Sequence, residues 1–305
     1  QPNLGRYCLF GNLFAAAGSG GPVHRIDRHP TMSVHPVTPM AEADLRRHLA
    51  AQGLERIELV DYRNYEASDA DAAIAARLAA GSDAMLLDVA RTEDLTVIGR
   101  LLRRQMEAGP MLTIGPSCVA QALATAWPGA RLGAAVPMSG RPHSGPVLAH
   151  VGSLSPVTRA QVEASSTYER LVNDTAALLR EPAYGVALEQ DVLARLTAGH
   201  DVMLVTDRPS QAPGNAESVA LATGRLLRGI MGKAAIRRLV VAGGDTSSLA
   251  VKSLDIWGLS YRAALVPGAP LCRTHSGDPR LDRLDIVLKG GQMGPVDFFD
   301  AVAAL

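Results

Sequence analysis

The chain has 305 residues, and its 30 Lys and Arg residues are balanced by 30 Asp and Glu residues. This balance supplies no general electrostatic attraction to nucleic acid or to an anionic membrane, and no run of about 18 apolar residues predicts a membrane span. The three cysteines are odd in number and widely spaced, which argues against a disulfide framework and a zinc site. We therefore predict a soluble, globular, cytoplasmic protein with no nucleic-acid or membrane partner.

The first half of the chain alternates short apolar runs with amphipathic segments, a pattern typical of βαβ units with a parallel sheet. The runs predict strands and the segments between and after them predict helices. The predicted strands are 56–61, 83–89 and 110–115, and the predicted helices are 70–80, 92–108 and 117–127.

A stretch rich in Gly, Pro and Ser follows Trp127 and has no regular period, so it predicts a domain boundary. We place the two domains at 1–130 and 131–305, and the fold class is α/β with largely parallel sheets flanked by helices. In the second domain, strands are predicted at 146–153, 200–207, 237–244, 260–266 and 284–291, and helices at 157–180, 215–231, 247–255 and 296–305.

Four of the five predicted strands of the second domain end in small or hydroxylated residues. In an open α/β sheet the ligand crevice lies beyond the carboxyl ends of the strands, where Gly lets the backbone approach a ligand and helix N-termini favour anions. We predict a phosphate site there, although each loop alone could also be a tight strand-to-helix turn. The candidate residues are Gly152, Ser153, Ser155, Gly243, Gly244, Asp245, Thr246, Gly291 and Gly294.

The chain contains neither a GxxxxGK[ST] loop nor a GxGxxG motif, so the P-loop and the dinucleotide fingerprint are both absent. Lys289, at the end of its predicted strand, is a candidate to neutralise a phosphate or simply a solvated charge. Asp88, also at a strand end, is a candidate catalytic acid or helix cap.

The segment "DRHPTMSVHPVTPM" from Asp27 to Met40 contains two His-Pro steps and a Thr-Pro step, which force an extended, turn-rich path. Its donors suit a small hydroxylated acid, and loop scaffolding is the alternative. No carboxylate at a metal-ligand spacing supports a metal site. The candidate substrate residues are Arg6, His29, His35 and Thr38.

Seven segments, in order and spacing, resemble the four-carbon acid sugar kinase family, nearly from end to end. They are "GRYCLFGNLF", "HPVTPMAEADLRRHLAAQ", "LLDVARTEDLTVIGRLL", "VLAHVGSLSPVTRAQV", "RRLVVAGGDTSS", "VPGAPLC" and "LKGGQMGPVDFF". The resemblance implies an ATP-dependent kinase acting on threonate, erythronate or their 3-oxo forms. It also implies a substrate-binding N-terminal domain, a nucleotide-binding C-terminal domain, and ATP loops at 152–155, 243–246 and 290–294.

The sequence departs from the family pattern at three places. Asp245 stands where the family has Glu, and Gln292 and Met293 stand where it has Asn-Phe; neither change removes backbone donors. The family's first strand and its Asp-Asp-x-Thr-Gly signature have no counterpart in this sequence. The resemblance therefore implies that the N-terminal domain is incomplete here and that the catalytic base lies in a part of the protein that precedes Gln1.

We expect the C-terminal loops to hold ATP with Mg²⁺, since phosphoryl transfer depends on positioning and charge neutralisation. A non-catalytic ligand-binding or regulatory protein on the same fold is the main alternative. A dehydrogenase or decarboxylase is disfavoured because the dinucleotide fingerprint is missing. We also consider a homodimer possible for such a kinase.

Overall fold

The structure is a computed structural model that describes residues 1–18, 20–35, 38–65, 70–127, 143–152, 155–206, 216–244 and 251–305. These residues form two compact units, one within Gln1–Ala134 and the other within Ala135–Leu305. In the part of the chain that is described, no helix combines the length and the apolarity needed to cross a membrane.

The first unit opens with a three-stranded antiparallel sheet of β1 (Arg6–Leu9), β2 (Asn12–Ala16) and β3 (Val23–Arg25). The turn between β1 and β2 uses positive φ angles at Phe10 (50°) and Gly11 (77°). The sequence pattern did not predict these strands, because runs of three to five residues interrupted by Gly carry almost no periodicity.

The rest of the first unit confirms most of the predicted elements. Strands β4 (Ile57–Val60) and β5 (Ala84–Leu87) pair in parallel. The helices are α1 (Leu45–Ala50), α2 (Ala70–Ala79), α3 (Asp94–Ala108) and α4 (Cys118–Ala126). Helices α3 and α4 touch at Gly99, where an added Cβ would lie 1.9 Å from the carbonyl oxygen of Ala122, so only Gly allows this approach.

The strand predicted at 110–115 is wrong. The segment has no strand structure, and the side chains of Leu112 and Ile114 are 84% and 86% exposed. Its apolar residues resemble a buried strand in sequence, but they face solvent, and no strand in the described part of the chain pairs with them.

The second unit contains a seven-stranded sheet in the order β10-β11-β12-β9-β6-β8-β7. Strands β12, β9, β6, β8 and β7 run parallel, and β10 and β11 form an antiparallel edge. The predicted α/β class with largely parallel sheets is confirmed. The elements are β6 (Val147–Val151), α5 (Pro156–Ala164), β7 (Glu169–Asn173), α6 (Thr175–Arg180), α7 (Pro182–Thr197), β8 (Val202–Thr206), α8 (Ala216–Met231), β9 (Arg238–Ala242), β10 (Gly258–Val266), β11 (Ala269–His275), β12 (Asp285–Lys289) and α9 (Phe298–Ala303).

The single helix predicted over 157–180 is wrong, because the chain there forms α5, then β7, then α6. Ser165, Ser166 and Thr167 follow α5, and their side chains compete with the helical backbone for hydrogen bonds. Asp174 then starts α6 by accepting hydrogen bonds from the N–H groups of Ala176 and Ala177.

The sheet of the second unit is buried on both faces. Leu148, Leu204 and Leu239 lie on the face covered by α7 and α8, while Val240 and Val287 lie on the face with α9. Strands β6 and β9 are therefore continuous buried runs, as expected for central parallel strands. Two polar residues lie in these strands: Arg238 at the start of β9 and His150 in β6. His150 is fully buried, and neither ring nitrogen has a hydrogen-bond partner among the described residues.

Candidate functional site

Strands β12, β9 and β6 are neighbours in the sheet and point the same way, so their carboxyl ends lie side by side. Backbone hydrogen bonds connect the ends of these strands. The Gly152 N–H donates to the Ala242 carbonyl oxygen (2.9 Å), and the Gly243 N–H donates to the Lys289 carbonyl oxygen (3.0 Å). The structure thus brings together the starts of three glycine loops, which we call the first loop (152–155), the second loop (243–246) and the third loop (290–294).

Several predicted loop residues can be placed at this edge. Gly152, Ser155, Gly243, Gly244, Gly291 and Gly294 are described, whereas Ser153, Asp245 and Thr246 lie outside the described residues. A Cβ added at Gly244 would meet no atom within 4 Å, so the space beside it is open.

Helix α5 holds the third loop in place. The hydroxyl of Ser155, which is the N-cap of α5, donates to the carbonyl oxygen of Gly291 and accepts a hydrogen bond from Thr158 N–H (3.2 Å). The hydroxyl of Thr158 donates to the same Gly291 oxygen (2.5 Å). Gly294 adopts φ +86°, and an added Cβ would lie 2.9 Å from Cδ2 of Phe298, so this turn requires Gly.

Lys289 occupies the centre of this arrangement. Its side chain is only 2% exposed, and its Nζ donates to Thr158 Oγ1 (3.0 Å) and to the Gly290 carbonyl oxygen (3.2 Å). Nζ also lies 5.6 Å from the ring centroid of Phe298. Burial lowers the pKa of Lys289 from 10.5 to about 8, and within the described ranges no Asp or Glu carboxylate pairs with it.

In the first unit, two predicted substrate residues meet at one oxygen. The guanidinium of Arg6 (Nη1) and the imidazole of His29 (Nε2) each lie 3.3 Å from the carbonyl oxygen of Ala16. Arg6 is half-buried, and burial lowers its pKa; its Nη1 also donates to the carbonyl oxygens of Leu4 and Gly5.

His29 is fully buried, and its Nδ1 accepts hydrogen bonds from the N–H groups of Thr31 (3.1 Å) and Met32 (3.2 Å). Its Nε2 must therefore carry the proton that is donated to Ala16. In this structure His29 fixes a turn beside Arg6. This is the loop-scaffolding role that we gave as the alternative to substrate binding for His29.

His35 and Thr38 form a second, exposed pair. The Thr38 N–H donates to His35 Nδ1 (3.1 Å), and the Thr38 hydroxyl lies 3.1 Å from the same nitrogen. The four candidate substrate residues therefore fall into two pairs, Arg6 with His29 and His35 with Thr38.

Asp88, at the carboxyl end of β5, is fully buried, and the N-cap position of the helix that follows, α3, is Glu93. Its carboxylate accepts hydrogen bonds from the N–H groups of Phe10 (2.6 Å) and Gly11 (3.0 Å), which form the β1–β2 turn. The observed role of Asp88 is to fix this turn.

Comparison with known proteins connects these sites to a family. A model described as a sugar-binding N-terminal domain matches residues 1–123, and one described as a nucleotide-binding C-terminal domain matches residues 148–299. The chain is 40% identical to the 3-oxo-isoapionate kinase of Paraburkholderia graminis, over 99% of this chain and 68% of that protein. The chain belongs to the four-carbon acid sugar kinase family. The resemblance found in the sequence is confirmed.

Other members and solved structures agree with this membership. The 3-oxo-tetronate kinase of Methylobacterium radiotolerans is 32% identical, over 98% of this chain and 70% of that kinase. A crystal structure from Salmonella typhimurium LT2, named as a candidate tRNA synthase, aligns with a TM-score of 0.73 at 26% identity, over 99% of this chain and 71% of that one. A Haemophilus influenzae structure of the DUF1537 family has the same fold, with a TM-score of 0.62 at 23% identity, over 100% of this chain and 72% of that one.

The sequence did not point to two residues at this edge of the sheet, Thr158 and Gln161. Together with Ser155 they recur every three residues along α5, which places three polar side chains on one helix face. This spacing was the available signal, but it is also typical of an ordinary solvent-facing stripe. Only the structure shows that both residues are buried.

Proposed function

We propose that the second unit binds the phosphates of ATP at the three glycine loops and that the protein transfers the γ-phosphoryl group to a hydroxyl of a four-carbon sugar acid. The observation that carries the nucleotide site is the buried Lys289 ammonium, which has no described carboxylate partner and lies against the first turn of α5.

The electrostatics of this place favour an anion. The N-terminus of a helix carries about half a positive charge from its aligned peptide dipoles, and an ammonium ion beside it adds charge of the same sign. Two like charges in a buried setting repel each other. A phosphate group would relieve this repulsion, and the neighbouring glycines leave room for its oxygens.

We propose that Mg²⁺ enters as the ATP complex, because phosphate oxygens and water are ligands that Mg²⁺ prefers. Among the side chains that the structure describes, no group of three His, Cys, Asp or Glu residues could hold a metal ion together. When bound, ATP with Mg²⁺ would supply the transferable phosphoryl group, and Lys289 would neutralise part of its charge.

On the sugar-acid side, we propose that Arg6 binds the substrate carboxylate. Its Nη1 is fixed by backbone carbonyls, whereas no described carboxylate pairs with the guanidinium, so its charge is available to a ligand. His29 would hold Arg6 in place through their shared Ala16 oxygen, and His35 and Thr38 would contact substrate hydroxyls. Residues 1–130 would then form the substrate domain and 131–305 the nucleotide domain.

We further propose that the substrate is a 3-oxo acid rather than threonate or erythronate, because relatives at 40% and 32% identity are named for 3-oxo-isoapionate and 3-oxo-tetronate. A cytoplasmic location is supported by three buried cysteines that are all free thiols. A homodimer stays a prediction, to be checked by the molar mass of the protein in solution.

The test begins with calorimetric binding of ADP with Mg²⁺. We expect the wild type to bind, and Lys289→Met to bind at least about tenfold more weakly because a charge-assisted contact is lost. Lys233→Met is the matched control, since Lys233 is exposed and pairs with Glu189. A folded wild type that binds no nucleotide would refute the nucleotide site.

The second part of the test measures ATP-dependent ADP release with 3-oxo-tetronate, 3-oxo-isoapionate, threonate and erythronate. We expect turnover with a 3-oxo acid. Turnover only with threonate or erythronate would refute the substrate proposal and leave the kinase activity intact. Nucleotide binding by the full-length protein without turnover of any of these acids would favour a non-catalytic ligand-binding protein.

A further inference from the structure

Three side chains on one face of α5, those of Ser155, Thr158 and Gln161, donate hydrogen bonds to backbone carbonyl oxygens of residues 291–295. Ser155 and Thr158 both donate to the Gly291 carbonyl oxygen. Gln161, two turns from the N-cap, is fully buried, and its Nε2 lies 2.9 Å from the carbonyl oxygens of Met293 and Gly294 and 2.8 Å from that of Pro295. The loop carbonyls therefore point at α5.

The orientation of the Gln161 amide follows from these contacts. If oxygen and nitrogen were exchanged, the Gln161 oxygen would face three carbonyl oxygens and repel them. Among the described residues Gln161 Oε1 has no hydrogen-bond partner, so the contacts that orient the side chain there are those of its donor group.

Fixing the carbonyls also fixes the N–H groups. In a trans peptide the C=O and the N–H of one peptide plane point in opposite directions. Because the Met293 carbonyl points at Gln161, the Gly294 N–H points away from it, and the Val296 N–H does the same through the Pro295 carbonyl. The Gly294 N–H has no protein partner among the described residues, and Val296 is exposed.

We propose that Gln161 is a positioning residue for the nucleotide: it holds the carbonyls of residues 293–295 so that the Gly294 and Val296 N–H groups face the phosphates. This inference rests on the proposed nucleotide site. Gln161 touches no ligand in this role, and it acts through the backbone of the third loop. The Gln161 amide is suited to this role because it is uncharged and offers two hydrogens to the cluster of carbonyl oxygens.

The test compares Gln161→Met, which keeps the length of the side chain and removes the donors, with the wild type. We expect the Kd for ADP with Mg²⁺ and the KM for ATP to rise about tenfold, because the loop N–H groups lose their fixed direction. The KM for the sugar acid should not change. Thr158→Val removes the donor to Gly291 and also the acceptor for Lys289 Nζ, so it should weaken nucleotide binding through both contacts. Gln161→Leu, which also removes the donors, serves as a second variant if Gln161→Met folds poorly.

Asp300→Asn is the matched structural control. Asp300 lies in α9 and accepts hydrogen bonds from Ser165 and Ser166, just after α5, so this change loosens the same helix at the end away from the loop. We expect Asp300→Asn to lower Tm without raising the Kd for ADP.

The possible results separate the inference from the function on which it rests. If Gln161→Met lowers Tm as Asp300→Asn does but leaves the Kd for ADP unchanged, Gln161 is structural and the inference is overturned alone. If the wild type binds no ADP, the nucleotide site and this inference fall together. Weaker ADP binding in Gln161→Met and Thr158→Val, but not in Asp300→Asn, supports the positioning role.

Discussion

The Nζ of Lys289 lies 3.0 Å from Oγ1 of Thr158, and Thr158 in turn donates to the carbonyl oxygen of Gly291. This chain of two hydrogen bonds joins the end of β12 to the first turn of α5 and to the third loop. A buried cation therefore holds the proposed phosphate site together and also supplies its charge. Two measurable consequences follow from the titration of this one group.

The first consequence is a pH dependence of nucleotide binding. In the free protein the pKa of Lys289 is about 8, and a bound phosphate raises it because the ammonium gains an anion. Binding then takes up a proton above pH 8, and the Kd for ADP should rise by about tenfold per pH unit there. Calorimetry between pH 7 and 9.5, in buffers of different ionisation enthalpy, measures both quantities. A Kd that stays flat over this range, or a Lys289→Met variant with the wild-type profile, would contradict the assignment.

The second consequence concerns folding. The pKa of Lys289 is about 8 in the folded protein, against an ordinary value of 10.5. Between these pH values the unfolded chain holds a proton that the folded chain has released, so the free energy of unfolding should rise with pH. We expect a gain of about 1 to 3 kcal/mol across this window in the wild type and no such contribution in Lys289→Met. Urea unfolding at pH 7.5, 9 and 10.5 measures the free energy of unfolding of both proteins. If this free energy depends on pH in the same way in the wild type and in Lys289→Met, the prediction is wrong.

The sequence predicted the parallel strands β4, β5, β6, β8, β9 and β12, because buried parallel strands are short apolar runs bounded by turns. It could not predict β7, whose residues Glu169–Asn173 follow directly on a helical pattern and carry two charges at their start. Nor could it reject the segment 110–115, since exposure depends on tertiary contacts that local composition does not contain. Tertiary context decides both cases.

The candidate site, too, could be predicted from the sequence only in part. Glycines and hydroxyls at strand ends are visible in the sequence, because the carboxyl edge of a parallel sheet is a general ligand position. The burial of Lys289 is not visible, since a lysine at a strand end is usually solvated. The Arg6–His29 pairing through Ala16 is equally hidden, because it depends on an antiparallel sheet that the pattern did not predict.

His150 predicts a loss of stability in acid. Its side chain is fully buried and has no hydrogen-bond partner within the described part of the chain, and burial lowers its pKa from 6.5 to about 4. As pH falls below 6.5 the unfolded chain binds a proton that the folded chain excludes, so stability decreases. We expect His150→Leu to reduce the loss between pH 7 and pH 5 by about 2 kcal/mol, measured by urea unfolding. His200→Gln, at an exposed histidine, is the control. An unchanged pH dependence in His150→Leu would refute this account.

Arg6 predicts a selective effect on the sugar acid. Replacing Arg6 with Met removes the proposed carboxylate contact and should raise the KM for the acid by about tenfold or more, with the KM for ATP unchanged. Arg6→Lys should recover only part of the affinity, because an ammonium lacks the planar fork of the guanidinium. Arg47→Met is the control, since Arg47 is exposed and pairs with Glu42. Equal changes in the two KM values would indicate a general structural effect and not a substrate contact.

Asp88 and Asp61 allow a matched test of burial, because they follow the paired strands β5 and β4 at equivalent positions. Asp88 is fully buried and holds the Phe10 and Gly11 N–H groups, whereas Asp61 pairs with the exposed Arg63. Asp88→Asn replaces one acceptor oxygen with an amide donor, which then faces one of the two N–H groups, and should cost about 1 to 3 kcal/mol of unfolding free energy. Asp61→Asn should cost less than about 1 kcal/mol, as expected for an exposed pair. Urea unfolding of both variants decides the matter: equal unfolding free energies would show that the Asp88 carboxylate contributes no more stability than an exposed pair.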